Sequence, residues 1–121
     1  PMNAAPMLLI ICRHSGWTAQ AAACFETTLT AGVYDQHTAL VLLEEAVTLL
    51  FPDQQTDAVR PKSLAQQLPA LELYGINMVY VDTSALAARG LELAALPIAV
   101  KPLEAGELAA LVATAKHTLV F

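Results

Sequence analysis

The sequence has few charged side chains and few cysteines. Charged residues make up only 14% of the chain, and the 11 acidic residues outnumber the 6 basic ones. No cluster of Lys and Arg is denser than the one from Arg60 to Lys62. Binding to a nucleic-acid backbone needs several convergent cations, so we expect no direct nucleic-acid contact. The two cysteines form no C-x-x-C pair, which favours a reducing compartment.

Long apolar runs are also missing. The longest clear run, Met7 to Cys12, is far shorter than the ~20 residues that span a bilayer. The segment from Pro1 to Pro6 has no basic residue to begin a secretory signal. We therefore expect a cytoplasmic protein with no membrane contact, folded as one domain over residues 1–121. Hydrophobic residues still reach 56%, and this surplus of apolar surface predicts an oligomer.

Apolar runs without alternation are typical of strands buried on both faces of a parallel sheet. Two such runs are present, and three shorter apolar segments follow them. The predicted strands are Met7–Cys12, Thr38–Leu43, Asn77–Val81, Pro97–Val100 and His117–Phe121.

Helical patterns separate these strands. The predicted helices run from Trp17 to a stop at Gly32, from Glu44 to Leu50, from Ser63 to Tyr74–Gly75 with a kink or restart at Pro69, from Thr83–Ser84 to Gly90, and from about Pro102 to Ala115. The polar segment from Gln54 to Lys62 predicts a loop. Alternating strands and helices predict an α/β fold of the flavodoxin-like class, a three-layer sandwich around a five-stranded, mainly parallel sheet.

Ligands of open α/β sheets bind at the carboxyl ends of the strands. A pocket at that edge would be lined by Arg13, His14, Ser15, Glu44, Asp82 and Thr83. Nucleotide motifs are absent there, because the first turn has a single glycine, Gly16, and neither a Walker loop nor a dinucleotide fingerprint. A cysteine-phosphatase loop is absent too, because Thr18 stands six positions after Cys12 where an arginine is needed. No cofactor is predicted.

Two side chains at this edge are candidates for chemistry. Cys12 could be a thiol nucleophile whose pKa is lowered by Arg13 and His14, although a small buried apolar residue is the favoured interpretation of both Cys12 and Cys24. His14 could be a general base or a metal ligand, although a hydrogen-bonding role on the surface or in a loop is the favoured interpretation. No metal site is predicted, because the other histidines lie at the amino ends of their strands.

Two adjacent carboxylates, Glu44 and Glu45, follow the second strand. Neighbouring residues on a helix point about 100° apart. We therefore expect the pair to stabilise the first helical turn and not to act as an acid/base pair.

Three stretches carry a resemblance to a known family: Leu71–Ile76, Ser84–Leu91 and Lys101–Phe121. They resemble the DsrE-like sulfur-relay superfamily, and specifically its TusC/DsrF branch. The first half is similar more loosely, through the opening strand, the turn at Gly16 and Leu40–Leu50. These stretches are packing and capping patterns, so the specificity of the resemblance comes from their order and spacing.

The resemblance implies a small DsrE-like subunit of a heterohexamer that contains two copies each of three related chains. Such complexes pass persulfide sulfur between carriers, for 2-thiouridine formation on tRNA or for dissimilatory sulfur oxidation. The implied partners are sister DsrE/TusD-like and DsrH/TusB-like subunits and, through the complex, a downstream sulfur-acceptor protein.

The resemblance also implies a position for the sulfur-carrying thiol. Relatives that carry sulfur place a cysteine at the carboxyl end of the third strand, before the helix that ends in Arg-Gly. Counting back from Arg89–Gly90 places Asp82 there, and a carboxylate cannot carry a persulfide. We therefore expect an accessory subunit in which Asp82 caps the next helix or shapes the mouth of a neighbouring subunit's site.

Two alternatives stay open at this point. One is an enzyme, a sulfurtransferase that uses Cys12 or Cys24 as its carrier. The other is a homo-oligomeric flavodoxin-like domain that binds a small ligand.

Overall fold

The computed structural model describes residues 6–15, 18–34, 37–50, 68–76, 78–92, 98–104 and 106–121. Its five strands are β1 (Leu8–Cys12), β2 (Thr38–Leu42), β3 (Met78–Asp82), β4 (Lys101–Leu103) and β5 (His117–Val120). They form one sheet of order β4-β3-β2-β1-β5, in which all four pairings are parallel. The predicted α/β fold with a five-stranded parallel sheet is confirmed.

Helices lie on both faces of this sheet. The helices are α1 (Ala19–Val33), a 3-10 helix (Glu44–Leu50), α2 (Ala70–Leu73), α3 (Thr83–Ala88) and α4 (Glu107–Thr114). The first four contribute to one core, with Ile10, Leu40 and Val81 of the sheet. Helix α4 packs against the opposite core, which contains Leu9 and Val41. The strand order reverses at β5, as right-handed crossovers require when the last helix lies on the other face.

The two central strands explain the unalternating apolar runs. Every residue of β2 is buried, and so are the last four residues of β1. Because successive side chains point to opposite faces, a strand covered on both sides needs apolar residues at every position. The helix α4, in contrast, has no buried residue.

Gly32 does not end the first helix as predicted. Helix α1 continues to Val33, and Tyr34 follows as its cap. A Cβ atom at Gly32 would lie 2.5 Å from the carbonyl oxygen of Tyr74. The glycine therefore allows a close approach between α1 and the turn after α2.

The predicted fourth strand, Pro97–Val100, is wrong over residues 98–100, which are not in a strand, and Pro97 lies outside the described residues. The strand β4 is Lys101–Leu103, and Pro102 lies within it instead of opening a helix. Proline is tolerated there because an edge strand bonds a neighbour on one side only. Helix α4 begins after Gly106, whose φ of 90° is left-handed.

The predicted helix from Ser63 is described only near its end. Helix α2 begins directly after Pro69, which agrees with a restart at that proline, and Gly75 follows it with a left-handed φ of 83°. The start of the predicted helix and the predicted loop from Gln54 to Lys62 lie outside the described residues.

Candidate functional site

Arg13 and Glu44 meet at the carboxyl ends of the two central strands. Arg13 follows β1, Glu44 follows β2, and these strands are neighbours in the sheet. The guanidinium donates from Nε to Oε2 of Glu44 and, at 3.3 Å, from Nη2 to Oε1. This hydrogen bonding raises the pKa of Arg13 and lowers the pKa of Glu44. The positive charge of Arg13 is therefore already paired within the chain.

Glu44 also has an unusual backbone conformation. Its φ of 51° is left-handed, and it is the one non-glycine residue with a positive φ in the described part of the chain. Such a conformation is uncommon for a residue with a Cβ atom and is found at constrained positions. The bidentate contact with Arg13 holds the Glu44 side chain at this turn.

A second ion pair joins Glu45 to Arg89, at the end of α3. The Nη2 atom of Arg89 lies 2.5 Å from Oε1 of Glu45, and its Nη1 atom donates to the carbonyl oxygen of Ala85 at 3.1 Å. The two adjacent glutamates thus bind different arginines and form no acid/base pair. Sequence reasoning missed this contact, because no local pattern links residues 44 positions apart.

Asp82 and Thr83 connect β3 to the elements around it. The Asp82 carboxylate accepts a hydrogen bond from the Ser84 N–H at 3.0 Å and so caps α3. The Thr83 hydroxyl lies 3.2 Å from Oε2 of Glu104 and 3.4 Å from the carbonyl oxygen of Leu103, beside β4. Both predicted pocket residues therefore have partners within the chain.

Cys12 and Cys24 form a buried pair of free thiols. Both side chains are fully buried, and Cys12 Sγ also lies 3.6 Å from the carbonyl oxygen of His14. The hydrogen bond from Cys24 lowers the pKa of Cys12 to about 7. The same bond, together with burial, raises the pKa of Cys24.

The group that lowers the pKa of Cys12 most is not one of the two side chains, Arg13 and His14, that the sequence predicted. Arg13 is bound to Glu44, and the group that lowers the Cys12 pKa most is the Cys24 thiol. Cys24 comes from helix α1, twelve positions further along the chain. Its hydrogen bond with Cys12 was not apparent from the sequence, because it depends on how α1 packs against β1.

His14 and Ser15 are the remaining residues of the predicted strand-end pocket. The Nδ1 atom of His14 is buried and has no hydrogen-bond partner among the described residues. The carbonyl oxygen of Ser15 accepts hydrogen bonds from the hydroxyl and the N–H of Thr18, which caps α1. In the described part of the chain no three His, Cys, Asp or Glu side chains come together as a metal site.

Three grooves outlined by the described residues lie away from the carboxyl ends of the strands. One, of about 480 Å³, runs between α4 and the strands β3 and β4 and includes Tyr80 and Lys101. Another, of about 500 Å³, lies beside α1 and includes Leu8 and Tyr34. A third, of about 280 Å³, lies around Leu71 and Ile98. None of these three grooves is lined by a residue of the predicted pocket.

The geometry defines a parallel α/β fold in which ion pairs and a helix cap join the described residues at the strand ends. Residues 7–121 match the DsrE/DsrF-like family, and the chain belongs to this family. In the described part of the chain no helix is long and apolar enough to span a membrane.

Two known proteins show how close the likeness is. The chain is 32% identical over 98 residues to a protein TusC homolog of Pseudomonas aeruginosa, a match that covers 80% of this chain and 82% of the relative. The resemblance to the TusC/DsrF branch is thereby confirmed. The fold also matches the crystal structure of the YchN protein from E. coli, with a TM-score of 0.82 and 18% identity, over 96% of this chain and 99% of that one.

Proposed function

We propose that this protein is a non-catalytic, TusC/DsrF-like subunit of a cytoplasmic sulfur-relay complex. Its partners in this proposal are sister DsrE/TusD-like and DsrH/TusB-like subunits, in a heterohexamer that delivers sulfur to a downstream acceptor protein. The complex serves either 2-thiouridine formation on tRNA or dissimilatory sulfur oxidation. The role of this chain is to assemble and present the subunits that carry the thiol.

Asp82 is the observation that carries this proposal. The resemblance implies that it stands where sulfur-carrying relatives have a cysteine, and its carboxylate caps α3 through the Ser84 N–H. A negatively charged side chain at this position repels an incoming persulfide anion. The paired arginines give further support, because Arg13 and Arg89, which lie among the described residues at the strand ends, both neutralise glutamates and are not free for an anionic substrate.

Purification from the native source tests the assembly. We expect two related chains to co-elute with this protein in equal amounts, identified by mass spectrometry. Elution without any related chain would contradict the proposal.

Sulfur transfer to the isolated protein tests the non-catalytic role. After incubation with a low-molecular-weight persulfide donor, the wild-type chain is expected to gain no sulfur atom in its intact mass. Asp82→Cys is the matched variant, because it restores a thiol at the relay position. If only Asp82→Cys takes up sulfur, the result supports a non-catalytic subunit that keeps the geometry of the relay site. If the wild-type protein takes up sulfur, the result contradicts the non-catalytic role.

A second candidate function is favoured by Cys12. The Cys24 thiol lowers the pKa of Cys12, and the thiolate is the form that attacks a persulfide. In this alternative Cys12 attacks the outer sulfur of the donor, and the donor leaves as a thiolate. The full burial of Cys12 opposes this reaction, because the donor has no open path to the sulfur.

The variants Cys12→Ser and Cys24→Ser distinguish the two functions. If Cys12 is a sulfur carrier, the wild-type protein gains sulfur and Cys12→Ser does not. If the subunit is non-catalytic, neither protein gains sulfur. Cys24→Ser is expected to slow the uptake, because it changes the group that lowers the pKa of Cys12. Circular dichroism of both variants controls for a loss of packing.

A further inference from the structure

The strand β5 is an open edge of the sheet. Among the described residues it pairs only with β1, and it has no proline and no Asp, Glu, Lys or Arg over His117–Val120. Two of its apolar side chains are exposed, Leu119 by 42% and Val120 by 58%. Natural edge strands are usually protected by charges, prolines or bulges against pairing with another chain. This edge has none of these protections.

The hydrogen bonds to β1 show which backbone groups point outward. The His117 N–H donates to the Met7 carbonyl at 2.9 Å, and the Phe121 N–H donates to the Ile11 carbonyl at 2.8 Å. In a parallel pair, alternate residues bond to the same neighbouring strand. The N–H and C=O groups of Thr118 and Val120 therefore point to the open edge.

A second copy of β5 fits this edge in antiparallel orientation. Around a two-fold axis through the two Leu119 residues, Thr118 of one copy lies opposite Val120 of the other. These are the residues whose backbone groups point outward, so they can exchange both hydrogen bonds of a closely spaced pair. The two Leu119 side chains then meet on one face, and Val120 meets Thr118 on the other.

Charge repulsion between two copies is weakest at the side of the molecule that carries β5. The chain has a net charge of −5, so two copies repel each other over most orientations. β5 contains no carboxylate, and in the antiparallel arrangement the two Lys116 residues lie at opposite ends of the contact. Helix α4 has no charged residue after Glu107, and its Val112 is 41% exposed. Copies therefore approach with least repulsion along this side of the molecule.

We propose that β5 pairs antiparallel with β5 of a second copy of this chain, in the register centred on Leu119, and joins the two sheets into one continuous sheet. The contact is isologous, so it closes at two copies. It does not depend on the proposed sulfur relay, and it is compatible with an assembly that holds two copies of each chain.

Cysteine crosslinking tests the register. In the full chain, Leu119→Cys places two cysteines in a non-hydrogen-bonded pair with Cα atoms about 4.5 Å apart, which is within the range that a disulfide bridges. Val120→Cys is the matched control, because the two copies of residue 120 are offset by two residues, about 7 Å along the strands in addition to their separation. We expect a disulfide-linked dimer on mild oxidation of Leu119→Cys and none for Val120→Cys or the wild-type protein.

A backbone variant tests the hydrogen bonds. Thr118→Pro removes an outward N–H that β1 does not use, so we expect this variant to lose the dimer in light scattering. Thr118→Val keeps the N–H and is expected to remain dimeric. Circular dichroism monitors the fold of both, and if Thr118→Pro unfolds, the crosslinking pair decides the question.

Three results would overturn the inference: a wild-type protein that is monomeric at its highest soluble concentration, equal crosslinking of Leu119→Cys and Val120→Cys, or crosslinking of Leu119→Cys only to a different chain. The first two exclude the self-pairing whatever the fate of the sulfur-relay proposal. The third assigns the edge to a sister subunit.

Discussion

Replacement of Asp82 by alanine measures what this carboxylate contributes to the fold. The change removes the oxygen that accepts the Ser84 N–H at 3.0 Å. Helix α3 has only six residues, so the cap satisfies one of the few N–H groups in its first turn. Loss of such a cap costs about 1 kcal/mol of unfolding free energy. Asp82→Asn keeps an acceptor oxygen at the same place and is expected to match the wild-type protein within a few tenths of a kcal/mol.

The loss converts to a measurable shift in melting temperature. Unfolding entropy is about 2.1 cal/mol/K per residue, so a chain of 121 residues has about 250 cal/mol/K, and 1 kcal/mol lowers the Tm by about 4 °C. Thermal unfolding followed by circular dichroism resolves this shift. All variants are compared at one protein concentration, because association makes the Tm concentration-dependent.

Comparing the Tm values of Asp82→Ala and Asp82→Asn shows whether the Asp82 side chain stabilises the fold as a helix cap. Equal Tm values for Asp82→Ala, Asp82→Asn and the wild-type protein would refute the capping argument and leave the carboxylate for another role. A Tm loss in Asp82→Ala with co-elution of the sister subunits unchanged would assign Asp82 to the fold of this chain alone.

Three further predictions concern the close approach, the thiol pair and the ion pair. Helix propensity alone would make Gly32→Ala more stable by about 1 kcal/mol, but the clash with the Tyr74 carbonyl costs about 1–3 kcal/mol; we expect a net loss in urea unfolding, and a gain would refute the contact. Cys24→Ala is expected to raise the pKa of Cys12 from about 7 toward 9.0, measured by thiolate absorbance against pH, and an unchanged midpoint would exclude the hydrogen bond. The pKa of Glu44 is lowered in the folded state from 4.5, so its stabilising effect is present above that pH and is lost as the pH falls through the folded-state value. Glu44→Gln should therefore lose less stability on acidification than the wild-type protein, and an equal loss would contradict this.

The central strands were predictable because their burial is visible in the sequence. Residues 8–12 and 38–42 are apolar at nearly every position, as a strand covered on both faces requires. The strand β4 was not predictable in the same way. It has three residues, two of them exposed, so it is defined by its pairing with β3 and not by its composition.

The candidate site was predictable only in outline. The rule that ligand-binding groups gather at strand ends located Arg13 and Glu44, which do meet. The contact between Glu45 and Arg89 and the thiol pair join distant elements and have no local signal. Arg13 was predicted as a pocket residue, and it is bound to Glu44 instead of being free for a ligand.

The described groups at the strand ends differ from those at the β5 edge, although the buried Nδ1 of His14 after β1 also has no partner among the described residues. At the strand ends a ligand would have to displace the chain's own hydrogen bonds, since Arg13, Arg89 and Asp82 all have partners there. Breaking a charge-assisted hydrogen bond costs more than breaking a neutral one. At β5, in contrast, Leu119 and Val120 are exposed, and the outward backbone groups pair with no other strand among the described residues. Covering them with another strand exposes no new polar group, so association at this edge is favoured where ligand binding at the strand ends is opposed.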